Sequence, residues 1–284
     1  MQIITTKSEL TLQVENSIRQ GKTIGFVPTM GALHNGHASL IQTACQENDL
    51  CFVSVFVNPT QFNNVEDLNK YPRNLQKDAE LLMSLGVHFV FAPTPEEMYE
   101  PEEMNRPFQF DFNGLDQVME GKMRPGHFNG VVQVVSRLFD LVRPTRAYFG
   151  EKDFQQLAII RHMVERSSLA TRFQGIQIIG CPIVREDNGL ALSSRNERLS
   201  QEEKQTAVGI SQVLTTSLTW AKTASVQEVQ QRVIDTINAI SGLEVEYYEI
   251  VDKTTLLPTD TFHNAIGCVT VYCGPVRLID NIQY

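Results

Sequence analysis

Two histidines three residues apart stand in the segment Pro28-Thr29-Met30-Gly31-Ala32-Leu33-His34-Asn35-Gly36-His37. The segment leaves a short apolar run, turns through two glycines and enters a helix-like stretch. Glycines let backbone N–H groups approach a phosphate, and a helix N-terminus favours an anion. At this spacing on a helical turn, His34 and His37 share a face. Two imidazoles aimed at one phosphate can donate hydrogen bonds as charge develops on a leaving group. A plain strand–turn–helix with two surface histidines is the bland alternative. The glycine spacing is neither GxGxxG nor GxxxxGK[ST], which argues against a dehydrogenase-type dinucleotide fold and a Walker-type ATPase.

Three further segments carry polar groups at similar places. Asn58-Pro59-Thr60-Gln61-Phe62 follows a strand-like run, so Asn58 and Gln61 can present amides over the strand ends. Amides fix hydroxyl and carboxylate groups without adding charge; the alternative is an Asn-Pro turn that merely ends the strand. In Gly150-Glu151-Lys152-Asp153-Phe154-Gln155-Gln156, Lys152 can reach a phosphate as a mobile point charge. Asp153 is expected to cap a helix, with Gln156 in capping-box spacing. Leu192-Ser193-Ser194-Arg195-Asn196 places two hydroxyls and a guanidinium in one loop, a phosphate clamp or an ordinary Ser-rich helix entry. Lys152 and Arg195 are long cations with no structural partner evident in the sequence. The turn Met123-Arg124-Pro125-Gly126-His127-Phe128 could line a pocket. Residues 66–73 read as a polar lid or a solvated connection, residues 96–103 as a solvated acidic face, and Trp220 as packing.

These groups need a scaffold, and the apolar pattern supplies one. Strands are expected at 23–28, 51–57, 87–92, 146–149 and 176–179, alternating with helices at 38–47, 75–85, 128–142 and 153–166. That rhythm implies βαβ units, a parallel Rossmann-type α/β sheet, and strand carboxyl ends along one rim. After residue 183 the pattern changes. Asp187-Asn188-Gly189 suggests a hairpin, 201–222 and 226–240 suggest helices, and 242–252 and 267–280 alternate with period two. The expected organisation is a domain over 1–183 and a smaller α+β domain over 184–284.

Composition narrows the class. The 284 residues are 42% hydrophobic and 20% charged, enough to bury a core and unlike a disordered chain. A net charge of −9, from 33 acidic against 24 basic residues, argues against a nucleic-acid scaffold. A local basic pocket for a small phosphate ligand stays open. The first twenty residues lack the basic and apolar regions of a signal peptide, and no run is long enough for a membrane helix. Five cysteines, at 45, 51, 181, 268 and 273, show neither CxxC nor zinc spacing. They read as reduced thiols of a soluble, cytoplasmic protein.

The His-x-x-Gly-His turn resembles the HIGH-type motif of the nucleotidyltransferase superfamily, and the Ser193–Arg195 loop resembles its KMSKS-type partner. Taken together, PTMGALHNGH, FVNPTQF, YPRNLQKD, MRPGHFNGV, YFGEKDFQQL and ALSSRN resemble the pantothenate synthetase (pantoate–β-alanine ligase) family over essentially the full length. Leu192 departs from the family's usual Met, an apolar exchange that preserves backbone contacts. The resemblance implies a homodimer that uses Mg²⁺ and ATP to join (R)-pantoate to β-alanine through a pantoyl adenylate. It implies that Met30, Gly31, Ala32, Leu33, His34, Asn35, Gly36 and His37 hold ATP, with His37 assisting pyrophosphate departure. Gly150, Glu151, Lys152, Asp153 and Val184 would also face the nucleotide, and Leu192, Ser193, Ser194 and Arg195 would close on it. Gln61, Gln156 and Asn58 would hold pantoate, and Gln61 would also meet β-alanine. The alternatives are a nucleotidyltransferase for a phosphate substrate and a nucleotide sensor without turnover.

Overall fold

The computed structural model describes residues 1–105 and 108–284. The chain begins with β1 (Gln2–Ile4), α1 (Lys7–Arg19), β2 (Ile24–Thr29), α2 (Asn35–Glu47) and β3 (Leu50–Val55). It continues through α3 (Val65–Lys70), α4 (Leu75–Ser84), β4 (Phe89–Phe91), α5 (Pro95–Met98), α6 (Pro101–Asn105) and α7 (Met119–Met123). Then come α8 (His127–Val142), β5 (Arg146–Gly150), α9 (Phe154–Glu165) and β6 (Gln177–Cys181). The remainder is α10 (Gln201–Trp220), α11 (Val226–Asn238), β7 (Leu243–Asp252), β8 (Ala265–Cys273) and β9 (Val276–Gln283). Short 3₁₀ turns occupy Pro59–Gln61, Glu151–Asp153 and Ser194–Arg198.

Strands β1 to β6 form one sheet in the order β1-β4-β3-β2-β5-β6, paired in parallel throughout. The chain builds outward from β2 to β3 and β4, then returns to the other side of β2 to add β5 and β6. The order therefore switches between β2 and β5, and open α/β sheets hold ligands in the crevice beyond such a switch. The turn after β2 carries His34 and His37; the turn after β5 carries Lys152. Buried Phe26, Phe52, Phe91 and Phe149 back one layer of the sheet with α8, which is buried on nearly every face. Val27, Val53 and Tyr148 pack toward the other side with Ile41 and Leu82 of α2 and α4.

Strands β7, β8 and β9 form a separate antiparallel sheet, covered by α10 and α11 around Leu214, Val233 and Val271. Both helices begin with a reciprocal capping box, Ser200 with Glu203 and Ser225 with Glu228, which satisfies otherwise orphaned N–H groups. Residues 185 and 191 bridge in antiparallel fashion around Gly189. The second sheet meets the first unit through an apolar patch of Met119 and Phe154 against Val251, Ile266 and Cys268.

Several features differ from the sequence expectation; among them, helix α3 occupies most of the stretch 66–73 read as a polar lid or solvated connection. The β1–α1 pair is additional to the expected elements: Thr6 caps α1 by accepting from the Glu9 N–H, and Leu10, Val14 and Ser17 are buried on one face. The acidic stretch 96–103 is more than a solvated face: Glu97 accepts from the Lys7 N–H at 2.7 Å, and Glu103 pairs with Arg137 of α8. Trp220 packs against the second core as expected, with the Arg232 guanidinium 4.1 Å from its ring centre.

Candidate active site

At the switch point lies a cavity of about 280 Å³, walled by both units. Its first wall is the turn entering α2. His34 is the N-cap residue: its Nδ1 accepts from the Gly36 N–H at 3.1 Å. The Nδ1 of His37 accepts in turn from the His34 N–H at 3.3 Å. A backbone N–H can only donate, so both Nδ1 atoms are unprotonated and each neutral ring carries its proton on Nε2. Burial, then the Lys152 charge, lowers the His34 pKa to about 4, against a smaller opposing effect of Asp153. Burial, then His34 and Lys152, lowers that of His37 to about 3. The two rings, tilted by 43° with centres 4.1 Å apart, are therefore neutral Nε2–H donors on the cavity wall.

Two small features hold this turn. A Cβ on Gly36 would lie 2.8 Å from the His34 ring, so the folded-back ring requires glycine. Buried Asp78 accepts from the Ala32 and Leu33 N–H groups at 3.0 and 2.8 Å and braces the bend at Gly31, whose φ is +80°.

Cations face this wall. Lys152 lines the cavity from the turn after β5, and no carboxylate pairs with it among the described residues. Asn281 of β9 donates to the carbonyls of Glu151 and Lys152 at 2.8 and 3.1 Å, so the second sheet braces the Lys152 turn. Arg195 also lines the cavity, but the expectation that it lacks a partner is corrected: it donates to Asp67 of α3 at 2.9 Å, and Arg198 shares that carboxylate at 3.1 Å. Ser194 Oγ donates to the Ala32 carbonyl at 3.0 Å, clasping the 193–198 turn to the histidine turn. Asp153 occupies the N-cap position of α9 without a side-chain capping bond, because a 3₁₀ turn runs straight into the helix. The expected capping box with Gln156 is absent; both side chains line the cavity instead.

A second wall presents amides. Gln61 ends the 3₁₀ turn after β3, with its Nε2 2.9 Å from Met30 Sδ. Asn58 does not line the cavity. It is fully buried, donating to Gly130 O at 3.0 Å and Gln61 Oε1 at 3.2 Å and accepting from Tyr99 Oη at 2.9 Å. Its amide is spent within the protein, so its direct contact is with Gln61.

Met30, His34, Gly36, His37, Gln61, Gly150, Lys152, Asp153, Gln156, Val184 and residues 192–195 all reach the cavity. Gly31, Ala32, Leu33, Asn35, Glu151 and Asn58 do not line it. The first three shape the bend, Asn35 is exposed at the start of α2, and Glu151 turns its carbonyl to Asn281. Arg124 and His127 line the cavity, as their turn suggested. Sequence reasoning missed Glu120, Gln155, Tyr247 and Arg277. Glu120 is nearly buried and accepts from Tyr247, Thr270 and both Nη atoms of Arg277 at 2.7–2.9 Å. Burial pushes its carboxyl up, but the Arg277 hydrogen bonds and charge prevail and bring it to about 2.

Parallel strand order and a polar cavity at the switch point define a Rossmann-type α/β protein with a two-walled rim site. The chain matches the pantoate-beta-alanine ligase family over residues 2–283. It is 58% identical over 287 residues to pantothenate synthetase of Phocaeicola vulgatus, covering 100% of this chain and 99% of that one. The structure is similar to that of pantothenate synthetase from Thermus thermophilus, with TM-score 0.90, 41% identity and coverage of 100% and 99%. It is also similar to pantoate-beta-alanine ligase from Francisella tularensis complexed with beta-gamma ATP and beta-alanine, with TM-score 0.81, 36% identity and coverage of 100% and 97%. The chain belongs to the pantoate–β-alanine ligase family.

Proposed function

We propose that the rim cavity condenses (R)-pantoate with β-alanine to pantothenate in two steps. The pantoate carboxylate attacks the α-phosphorus of ATP, forming pantoyl adenylate and releasing pyrophosphate. The β-alanine amine then attacks the acyl carbon and AMP departs. The observation that carries this reading is the pair of neutral Nε2–H donors, His34 and His37, fixed by backbone N–H groups beside Lys152. Donors set in advance stabilise charge that develops on departing pyrophosphate without reorganising. Lys152 and Arg195 add positive charge, while Met30, Gly36, Gly150, Asp153, Val184, Leu192, Ser193 and Ser194 bound the nucleotide. Gln61 and Gln156 grip pantoate, and Gln61 also meets β-alanine; Asn58 acts by holding Gln61. The boundary between units falls at 183/184, and 184–284 closes over the nucleotide, shielding the adenylate from water.

Mg²⁺ fits this site as a companion of the triphosphate. Among the described residues no three His, Cys, Asp or Glu side chains converge as a metal cage. Mg²⁺ commonly keeps water and substrate phosphates as ligands and takes one or two carboxylates, and Asp153 stands on the wall to offer one. When bound, the ion neutralises phosphate charge. Five free cysteines support a reducing, cytoplasmic setting, and no described helix is long and apolar enough to cross a membrane.

Activation before amine attack makes a direct demand. Labelled pyrophosphate should exchange into ATP with pantoate and Mg²⁺ present and β-alanine absent. A nucleotide sensor gives no exchange, and a transferase for a phosphate substrate ignores pantoate. Active protein without pantoate-dependent exchange overturns the two-step reading.

A further inference from the structure

Arg124, at the end of α7, and His127, the first residue of α8, place two polar side chains in the cavity wall that the proposed chemistry leaves unused. We propose that Arg124 and His127 form a positioning relay that holds Gln61 in register with the second sheet. The inference rests on the reading of Gln61 as the amide that grips pantoate.

Each link is a contact between named atoms. His127 Nδ1 lies 2.8 Å from the Gln61 carbonyl oxygen, and its Nε2 lies 3.1 Å from Arg124 Nη1. A carbonyl only accepts and a guanidinium only donates. His127 is therefore neutral, with its proton on Nδ1, and both nitrogens are engaged. Burial, then the charge of Arg124, lowers its pKa to about 3, so this arrangement does not titrate near neutral pH. Arg124 Nη1 lies 3.5 Å from Glu120, and Glu120 is held by Tyr247, Thr270 and Arg277 of the second sheet. The relay runs from that sheet to the backbone of the residue whose side chain faces pantoate.

A second contact shows how closely that backbone is held. Gly130 of α8 brings the helix so near that a Cβ would lie 2.4 Å from Thr60 O and 2.6 Å from Gln61 Cα. Asn58 fixes the Gln61 side chain from below, at 3.2 Å. His127 fixes the Gln61 carbonyl, and displacements near 1 Å at a reacting pair are costly. Space filling alone would use an apolar ring at 127 and would need neither a selected tautomer nor a guanidinium behind it.

Two amide substitutions in the intact protein separate the relay from packing. Asn places its side-chain nitrogen near the Nδ1 position and can still donate to Gln61; Gln places it near Nε2 and cannot. His127→Gln should raise the pantoate KM about five- to tenfold, the scale of one lost buried hydrogen bond, with the ATP KM within about twofold. His127→Asn should recover most of the pantoate affinity, at a melting temperature matching that of His127→Gln. Arg124→Met should raise the pantoate KM by about threefold, since the ring loses its brace and keeps its donor. An unchanged pantoate KM in His127→Gln overturns the relay, and so do parallel rises for ATP and pantoate. Gln61→Ala, measured alongside, distinguishes the failures. If it leaves the pantoate KM unchanged, the reading of Gln61 falls and takes the relay with it. If it raises that KM while His127→Gln does not, only the relay falls.

Discussion

The two walls of the cavity use histidine in opposite ways. On the phosphate-facing wall, His34 and His37 spend Nδ1 as acceptors for backbone N–H groups and keep Nε2–H for the cavity. On the amide wall, His127 spends Nδ1 as a donor to a backbone carbonyl and Nε2 as an acceptor from Arg124. All three are buried enough for their pKa values to fall to about 3–4. Burial makes each ring neutral; the backbone group that meets Nδ1 decides whether it serves a ligand or the protein.

The largest effect should come from the wall that faces ligand directly. Lys152→Ala should lower pantoate-dependent pyrophosphate exchange by about 10²–10³-fold, the usual loss for one transition-state charge contact. Its melting temperature should stay close to that of the wild type, because no carboxylate pairs with Lys152 among the described residues. Normal exchange in a folded variant would remove Lys152 from the phosphate wall. Next come two glycines, one behind each wall. Gly36→Ala presses a methyl group against the His34 ring and should cut exchange by about 10–10²-fold through misplaced donors. Gly130→Ala presses on backbone at residues 60 and 61, which yields less readily, and should weaken pantoate use and lower stability together. If both glycine variants impaired ATP and pantoate use equally, the division into two walls would fail.

That division also explains what was legible beforehand. Residues 30–37, 150–156 and 192–196 are contiguous runs, so their chemistry and their place at strand ends can be read directly. Strand–helix alternation pointed to the parallel sheet because the central strands β2, β3 and β5 are apolar runs buried over most of their length. The supports were hidden. Asp78 meets residues 32 and 33 from α4, and Arg277 meets Glu120 across 157 positions. Such pairs leave no local pattern, since each member alone resembles an ordinary surface charge. Asn58 reads as a ligand group because its amide and strand-end position fit; only the packing of Tyr99 and Gly130 around it shows that the amide is spent.

The histidines make a pH prediction whose sign follows from their depressed pKa values. From an ordinary value of 6.5, folding takes His34 to about 4 and His37 and His127 to about 3. The unfolded chain therefore binds the extra protons as pH falls. Their contribution to stability is full above about 6.5 and is lost as pH drops toward 4 and 3, by at most ~1.4 kcal/mol per pH unit for each ring. Glu120, lowered from 4.5 to about 2, acts with the same sign but only below its unfolded value. Between pH 6.5 and 5 the slope belongs to the imidazoles. The urea midpoint should fall over this range and fall less steeply in His127→Asn; a flat midpoint would mean that the rings titrate normally.

The smallest effect tests the clasp between α3 and the 193–198 turn. Asp67 receives Arg195 and Arg198 at 2.9 and 3.1 Å, and all three side chains are between a quarter and a third exposed. Partly hydrated ion pairs of this kind are worth about 0.2–1 kcal/mol and are screened by salt. Asp67→Asn keeps an acceptor oxygen but removes the charge that aims Arg195 along the cavity wall. The ATP KM measured by exchange should rise about two- to fivefold at low salt, the equivalent of that energy. Raising the ionic strength should narrow the difference, because the wild-type pair weakens while the neutral variant has little left to screen. The pantoate KM should hold, since Gln61 is fixed from Asn58 and His127 and not from α3. A rise in the pantoate KM instead would mean that α3 supports the amide wall, and the two walls would then share one support. No change in either constant would leave the Ser194 bond to the Ala32 carbonyl as the clasp that holds the 193–198 turn.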